Sequence, residues 1–279
     1  MPELPDLEYI LPRLREPLVG KQLEKIEIFE PVVYRNLTGL QDWNPELVTS
    51  VFRRGPFLVL ELEQTHLVIH PMLAGRFAFN GKKKAATAIR FAFSDFYLDF
   101  IDDKKMGKVY RARKEQLDQI PGYKKQGVDL LSKEFTEEYF RKQAAKYRKQ
   151  ARVFLMDQSI LSAIGNAYAD EILFEAMIHP KTRMNQLTEE QILGLYRAIG
   201  IVLRESIRTI EEQKPELDQK YREHVKVRNR KDQPCPRCGS RIRRANVLGY
   251  DSFFCPTCQP DGGRGFVDWS SLEKRDGGS

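Results

Sequence analysis

Cys235-Pro236-Arg237-Cys238 and Cys255-Pro256-Thr257-Cys258 enclose sixteen residues near the end of the chain and contain all four of its cysteines. Two CxxC pairs at this spacing are the pattern of a four-thiolate zinc site. Four protein ligands leave no open coordination position, so the expected cofactor is one structural Zn2+ rather than a catalytic ion. Cysteines confined to one short stretch also argue against a scattered disulfide framework. Arg241, Arg243 and Arg244 lie between the pairs, and Phe253 and Phe254 adjoin the second. A metal-pinned hairpin carrying arginines suits phosphate or groove contacts. Residues 228–260 are therefore read as a zinc finger, and the Gly- and charge-rich residues 261–279 as a flexible tail.

Upstream, residues 132–227 carry helical spacing of apolar positions. Thr136–Lys149, Val153–Leu161, Tyr168–Met177 and Thr188–Thr209 are the expected helices, and the pattern persists through a charged stretch to about Val225. Ser162-Ala163-Ile164-Gly165-Asn166 separates the second and third. Two helices joined by a glycine-bearing turn suit a DNA clamp, and also occur as ordinary packing. Backbone N–H groups at the start of a helix, helped by Asn166, are able to hold a phosphate. The polar, Lys- and Gly-bearing residues 117–131 read as a linker.

Before the linker, residues 1–116 are strand-rich. Gln22–Phe29, Leu47–Phe52, Phe57–Glu63, His66–His70, Arg76–Phe79, Ile89–Phe93 and Phe96–Phe100 are short, aromatic or β-branched, and partly alternating. With turns such as Asn80-Gly81 between them, they predict an antiparallel β-sandwich. Two loops carry an apolar residue at their tips: Leu73 in His70–Gly75, and Met106 beside Lys104 and Lys105 in Asp102–Gly107. Apolar tips beside cations suit insertion into a base stack; core packing of Leu73 and Met106 is the alternative. His66, His70 and His179 read as hydrogen-bonded core residues. The fold class expected is α+β multidomain: a β-sandwich flanked by a helix, then a helical domain and a zinc finger.

The flanking helix is Leu4–Leu18, with Leu7, Ile10, Leu11, Leu14 and Leu18 on one face. Pro5 suits a first turn, and Pro12 predicts a kink or break. The chain opens Met1-Pro2-Glu3. Removal of Met1 would leave Pro2 with a free secondary amine, and an α-amine titrates at about 7.7–8.0 against about 10.4 for lysine. Such an amine forms Schiff bases with carbonyl carbons, and Glu3 beside it is placed to shuttle protons. Taken alone, a Met-Pro start carries no such meaning in many proteins.

The chain has 279 residues, 41% apolar, with a net charge of +7. That permits more than one domain with a real core, and the charge suits a polyanion partner. No apolar run is long enough to cross a bilayer and no secretory segment follows Met1, so a cytoplasmic protein is expected, without a membrane partner.

These segments together resemble the formamidopyrimidine-DNA glycosylase and endonuclease VIII family of base-excision repair enzymes. The resemblance runs from Met1 to about Gln259. Met1–Pro5 resembles the family's start; Asp157-Gln158-Ser159 through Gly165–Glu171 to Ile178-His179-Pro180 resembles its helix–two-turn–helix segment; Arg228–Cys258 resembles its finger. The resemblance implies a monomeric DNA glycosylase with abasic-site lyase activity, acting on duplex DNA that contains damaged bases or abasic sites. Pro2 would attack C1′ of the damaged nucleotide through a Schiff base, and Glu3 would protonate the sugar or leaving base. Leu73 and Met106, with Lys104 or Lys105, would fill the gap left by the everted nucleotide, and Asn166 would bind phosphate. Arg54, Arg152 and Tyr250 complete the candidate DNA contacts.

The sequence departs from the family in places. Pro56, in Arg53-Arg54-Gly55-Pro56-Phe57, stands where the family has a lysine, and Tyr250 where its finger has a phosphate-gripping arginine. Asp6 replaces the usual glutamate. Lys104-Lys105-Met106 replaces two arginines and a phenylalanine of the formamidopyrimidine branch. Glu211–Tyr221 is shorter than the loop that closes over oxidised guanine in that branch, so oxidised purine opposite cytosine is not expected as the main substrate. The alternative is a protein of this fold that binds damaged or structured DNA without efficient base excision.

Overall fold

A computed structural model describes the chain from Pro2 to Asp261. The processing of Met1 and the expected tail lie outside the described residues. Two compact units are present. The first is the chain up to Ser132 together with Gln158–Ala163 and Leu203–His224; the second comprises Lys133–Asp157, Ile164–Val202 and the chain from Val225.

The first unit opens with helix α1 (Leu4–Leu18) and continues through nine strands: β1 (Gln22–Ile28), β2 (Tyr34–Asn36), β3 (Glu46–Arg54), β4 (Phe57–Leu62), β5 (His66–His70), β6 (Arg76–Phe79), β7 (Thr87–Phe93), β8 (Tyr97–Ile101) and β9 (Lys108–Ala112). Their order is β2-β9-β5-β4-β3-β1-β7-β8-β6. The sandwich has a five-stranded and a four-stranded half, linked where β1 meets β3 over Gln22↔Leu47 and Leu23↔Glu46. Pairing is antiparallel except for β2, which runs parallel to β9. The short polar β2 and the strand β9 were not among the expected strands; Tyr34-Arg35-Asn36 carries no apolar alternation to reveal it.

Helix α1 runs unbroken through Pro12 and Pro17, so of the expected kink or break the break does not occur. The physical reason is burial. Leu4, Leu7, Leu14 and Leu18 are fully buried, and Ile10 and Leu11 nearly so. Each such side chain contributes about 1.5–3 kcal/mol, against about 3 kcal/mol for a proline in a helix interior. The apolar face outweighs the missing hydrogen bond.

The second unit contains α2 (Glu137–Lys146), α3 (Ala151–Leu155), α4 (Asn166–Glu175) and the start of α5 (Glu189–Gln213), followed by the hairpin β10 (Arg243–Val247) and β11 (Tyr250–Phe254). Phe140 packs edge-on against Phe154 at 5.5 Å and lies 5.7 Å from the ring of Tyr196, which closes the helical core. Phe174, Val227, Ile242 and Phe253 form a second cluster around Cys235 and Cys255. The helical pattern expected as far as Val225 stops at Gln213. Lys214 adopts a left-handed backbone, and Pro215 then prevents the helix from resuming.

Candidate active site and nucleic-acid interface

Pro2 is buried, and Glu3, the residue before α1, is only 3% exposed. The first turn fixes both. The N–H of Glu3 donates to Asp6 Oδ2 at 2.7 Å, and the N–H of Leu4 donates to the carbonyl of Ala163 at 2.8 Å. Ala163 holds a left-handed backbone and donates its N–H to Gln158 Oε1 at 2.8 Å. The segment Gln158–Ala163 thus seats the start of α1. Asp6 is in turn gripped by both terminal nitrogens of Arg222. Pro2, Asp6, Leu73, Arg76, Asp103 and Lys220 line a cavity of about 240 Å³.

Sheet register places the two apolar-tipped loops side by side. His70 at the end of β5 pairs with Lys108 at the start of β9, and Arg76 at the start of β6 pairs with Ile101 at the end of β8. The segments 71–75 and 102–107 connect these same strands. Leu73 is 54% and Met106 40% exposed, so packing does not account for either. Each loop is stiff at its base. Gly75 donates to the Pro71 carbonyl at 2.8 Å, and a Cβ there would meet that oxygen at 2.5 Å. The Asp102 carboxylate accepts the N–H groups of Lys104 at 3.1 Å and Gly107 at 2.6 Å. Lys105 pairs with Glu30 at 2.8 Å, and Lys104 lies 3.9 Å from Asp103. His70 accepts the N–H of Met72 on Nδ1 at 3.1 Å, and burial lowers its pKa to about 4. It is a neutral cap for the first loop, as expected of a hydrogen-bonded core histidine.

Pro56 lies buried in the two-residue turn between β3 and β4, where Gly55 takes a positive φ of 54°. It offers no donor. Arg54 is exposed and donates to the Tyr123 carbonyl at 2.9 Å. Arg53 is the buried member of the pair, bonded to Glu8 at 2.8 Å and Asp129 at 2.7 Å.

In the second unit, Asn166 is the first residue of α4, with Gly165 before it. Arg152, only 1% exposed, donates to Asn166 Oδ1 at 2.7 Å, to Asp170 Oδ1 at 3.1 Å and to the Asp251 carbonyl at 3.0 Å. Asp170 also accepts from Arg228, from Ser252 Oγ and from the N–H of Phe253. Neighbouring Glu171 accepts the backbone N–H groups of Lys226, Val227 and Arg228. Burial raises the pKa of Glu171, and these three bonds oppose the rise. The acidic pair thus stitches α4 to the finger. Asp170, Glu171, Arg222 and Arg53 were not identified from sequence, because their partners lie far along the chain.

The four cysteine sulfurs lie within 4.8 Å of one another. Cys235 Sγ is 3.9 Å from Cys258 Sγ, and Cys238 Sγ is 3.4 Å from Cys255 Sγ. A tetrahedral Zn–S bond of about 2.3 Å implies sulfurs about 3.8 Å apart, so the donor set fits zinc. Arg237 and Cys258 direct backbone N–H groups at Cys235 and Cys255 sulfurs. The finger's hairpin turns at Leu248-Gly249, both with positive φ. Leu248 and Tyr250 stand exposed at its tip, at 61% and 55%.

A β-sandwich with a buried proline just before its first helix, a helical unit whose asparagine opens a helix, and a four-cysteine finger together define a class of base-excision DNA repair enzyme. Three family models match in order: the formamidopyrimidine-DNA glycosylase N-terminal domain over residues 1–109, the formamidopyrimidine-DNA glycosylase H2TH domain over 126–214, and the zinc finger found in FPG and IleRS over 232–260. The formamidopyrimidine-DNA glycosylase of Pelotomaculum thermopropionicum is 33% identical, over 93% of this chain and 99% of its own length. The solved structure of the Thermus thermophilus MutM (Fpg) protein matches with a TM-score of 0.83 and 31% identity, covering 94% of this chain and 100% of that one. A Lactococcus lactis Fpg bound to DNA containing an abasic site matches with a TM-score of 0.83 and 27% identity, covering 93% and 100%. The chain belongs to the formamidopyrimidine-DNA glycosylase family of bifunctional glycosylases and abasic-site lyases.

Proposed function

We propose that this protein excises oxidised or ring-opened bases from duplex DNA and cleaves the resulting abasic site through an imine on the nitrogen of Pro2. The observation that carries the reading is the placement of Pro2: buried, next to Glu3, and lining a cavity that Leu73 also lines. With Met1 removed, the secondary amine attacks C1′ of the everted nucleotide. The C1′–N bond to the base breaks, and the base leaves with a proton supplied by Glu3. The sugar ring opens to an imine, which acidifies the C2′ hydrogen. Loss of that proton expels the 3′ phosphate and breaks the strand.

Eversion is a prerequisite for this chemistry. Leu73 and Met106, on adjacent loops, fill the vacated stack, with Lys104 and Lys105 near the backbone. Asn166 and the N–H groups at the start of α4 hold a phosphate. Arg54 and Tyr250 add contacts, and Arg152 acts through Asn166. The protein works as a monomer in the cytoplasm. Pro56 and Tyr250 bring no positive charge to their places, which weakens phosphate binding, and the short Glu211–Tyr221 segment favours a lesion other than oxidised guanine opposite cytosine.

Strand-incision assays test this. Duplexes would carry an abasic site, ring-opened guanine, oxidised pyrimidine or oxidised guanine. Incision at the abasic site, with excision of at least one damaged base and lost excision in Glu3→Gln, is the expected result. Tight binding of these duplexes without incision, by protein that begins at Pro2, would favour a DNA-binding role instead.

A further inference from the structure

We propose that Lys220 is a second imine-forming amine in the Pro2 cavity, able to attack the ring-opened aldehyde of an abasic site. The proposal rests on the abasic-site chemistry proposed above and adds a nucleophile to it.

The segment bearing Lys220 is irregular yet anchored on both sides. Ahead of it, the Pro215 carbonyl accepts from Tyr9 Oη at 2.6 Å, and the Leu217 carbonyl accepts from the Phe77 N–H at 3.3 Å. Asp218 pairs with Lys84. Behind it, Arg222 holds both oxygens of Asp6. These ties fix the segment to α1, to β6 and to the loop before β7. Lys220, Gln219 and Leu217 line the same cavity as Pro2 and Asp6.

An amine attacks a carbonyl only when unprotonated, so its surroundings matter. Lys220 is exposed as a residue, yet desolvation by the groups packed around it lowers its pKa. The Arg222 guanidinium lowers it further, while Asp6 and Glu3 oppose the shift. Arg76 and Asp103 are further charged groups lining the same cavity, beside Leu217 and Gln219. Lys220, the Asp6 carboxylate and Pro2 therefore line one cavity.

The step balances simply. An abasic sugar equilibrates to the open aldehyde. The Lys220 nitrogen adds to C1′, the resulting carbinolamine loses water, and an imine remains. Proton loss at C2′ and departure of the 3′ phosphate then proceed as they would from Pro2. This route starts from an existing abasic site, so it contributes lyase activity and not base excision. It also operates when the Pro2 nitrogen is blocked as an amide.

Borohydride trapping on an abasic duplex, followed by proteolysis and mass mapping of the adduct, tests the proposal with the full chain. Three proteins are compared: one beginning at Pro2, one with residues added ahead of Pro2, and the extended protein carrying Lys220→Arg. The expected result is an adduct on Pro2 in the first and on Lys220 in the second, with at least a tenfold loss of trapping in the third. Lys220→Arg keeps the charge, and unchanged abasic-DNA affinity shows that the fold and binding persist. If the extended protein gives no adduct, or one only on its new amino end, the Lys220 proposal is overturned while the Pro2 reading stands. If the protein beginning at Pro2 gives no adduct at all, the underlying reading fails.

Discussion

Arg152 donates to Asn166 Oδ1 at 2.7 Å from a site that is only 1% exposed. The bond fixes the amide of Asn166 so that Nδ2 is the edge a phosphate would meet. The same guanidinium bonds Asp170 and the Asp251 carbonyl, so α4 and the finger hairpin share one buried cation. Replacing Arg152 by Met leaves Asp170 with Arg228 as its remaining cation and removes the restraint on Asn166. Breaking a buried ion pair from one side costs about 3–5 kcal/mol. Denaturant melts of Arg152→Met are expected to show a loss of that order, and a loss under 1 kcal/mol would contradict the role.

Leu73 and Met106 are exposed, so their effects should separate from stability. Leu73→Ala and Met106→Ala are expected to change unfolding free energy by less than about 0.5 kcal/mol, as exposed substitutions do. Binding of a duplex with an abasic site should weaken at least fivefold in the double variant, with undamaged duplex little affected. Fluorescence of a base analogue beside the lesion reports the insertion. Equal weakening on both duplexes would remove the wedge role.

Burial holds the pKa of His70 at about 4, below the ordinary 6.5. The unfolded chain therefore binds more protons between these values, and stability falls as pH falls through that window. The contribution is complete above about pH 6.5 and is lost toward and below about pH 4. A change of about 3 kcal/mol over the whole window corresponds to a shift of this size. Thermal melts of wild type and His70→Gln at pH 7.5 and pH 5 check it: the glutamine keeps an acceptor for Met72, and the variant should lose less stability on acidification.

One zinc per chain should be released when the thiolates are titrated with a mercurial, read by a zinc-sensitive dye. Because the ligands must be deprotonated, acid also favours release. Cys258→Ser is expected to lose zinc and to weaken DNA binding, with a shallower salt dependence as the finger's phosphate contacts are lost. Full zinc content in Cys258→Ser would contradict a four-thiolate site.

Much of the architecture was legible because it is local. The CxxC pairs, the alternating strands and the spacing of α1 all repeat over a few residues. What escaped was set by tertiary burial. Pro12 argued for a break that the leucine face of α1 overrides. Strand β2 is too short and polar to announce itself, and it pairs with β9 about seventy-five residues on. The Arg152–Asp251 bond spans 99 residues and the Asp6–Arg222 pair 216, so no spacing rule could have joined them. Leu73 and Met106 were left between packing and insertion by the sequence; their exposure decides against packing.

The chemistry is tested most directly by the mass of the amino-terminal peptide after borohydride trapping on an abasic duplex. The expected result is the peptide beginning at Pro2 with the sugar–phosphate remnant reduced onto its nitrogen, and disappearance of the unmodified peptide in proportion to trapped DNA. An unmodified Pro2 peptide in a fully trapped, Met1-free sample would contradict the account.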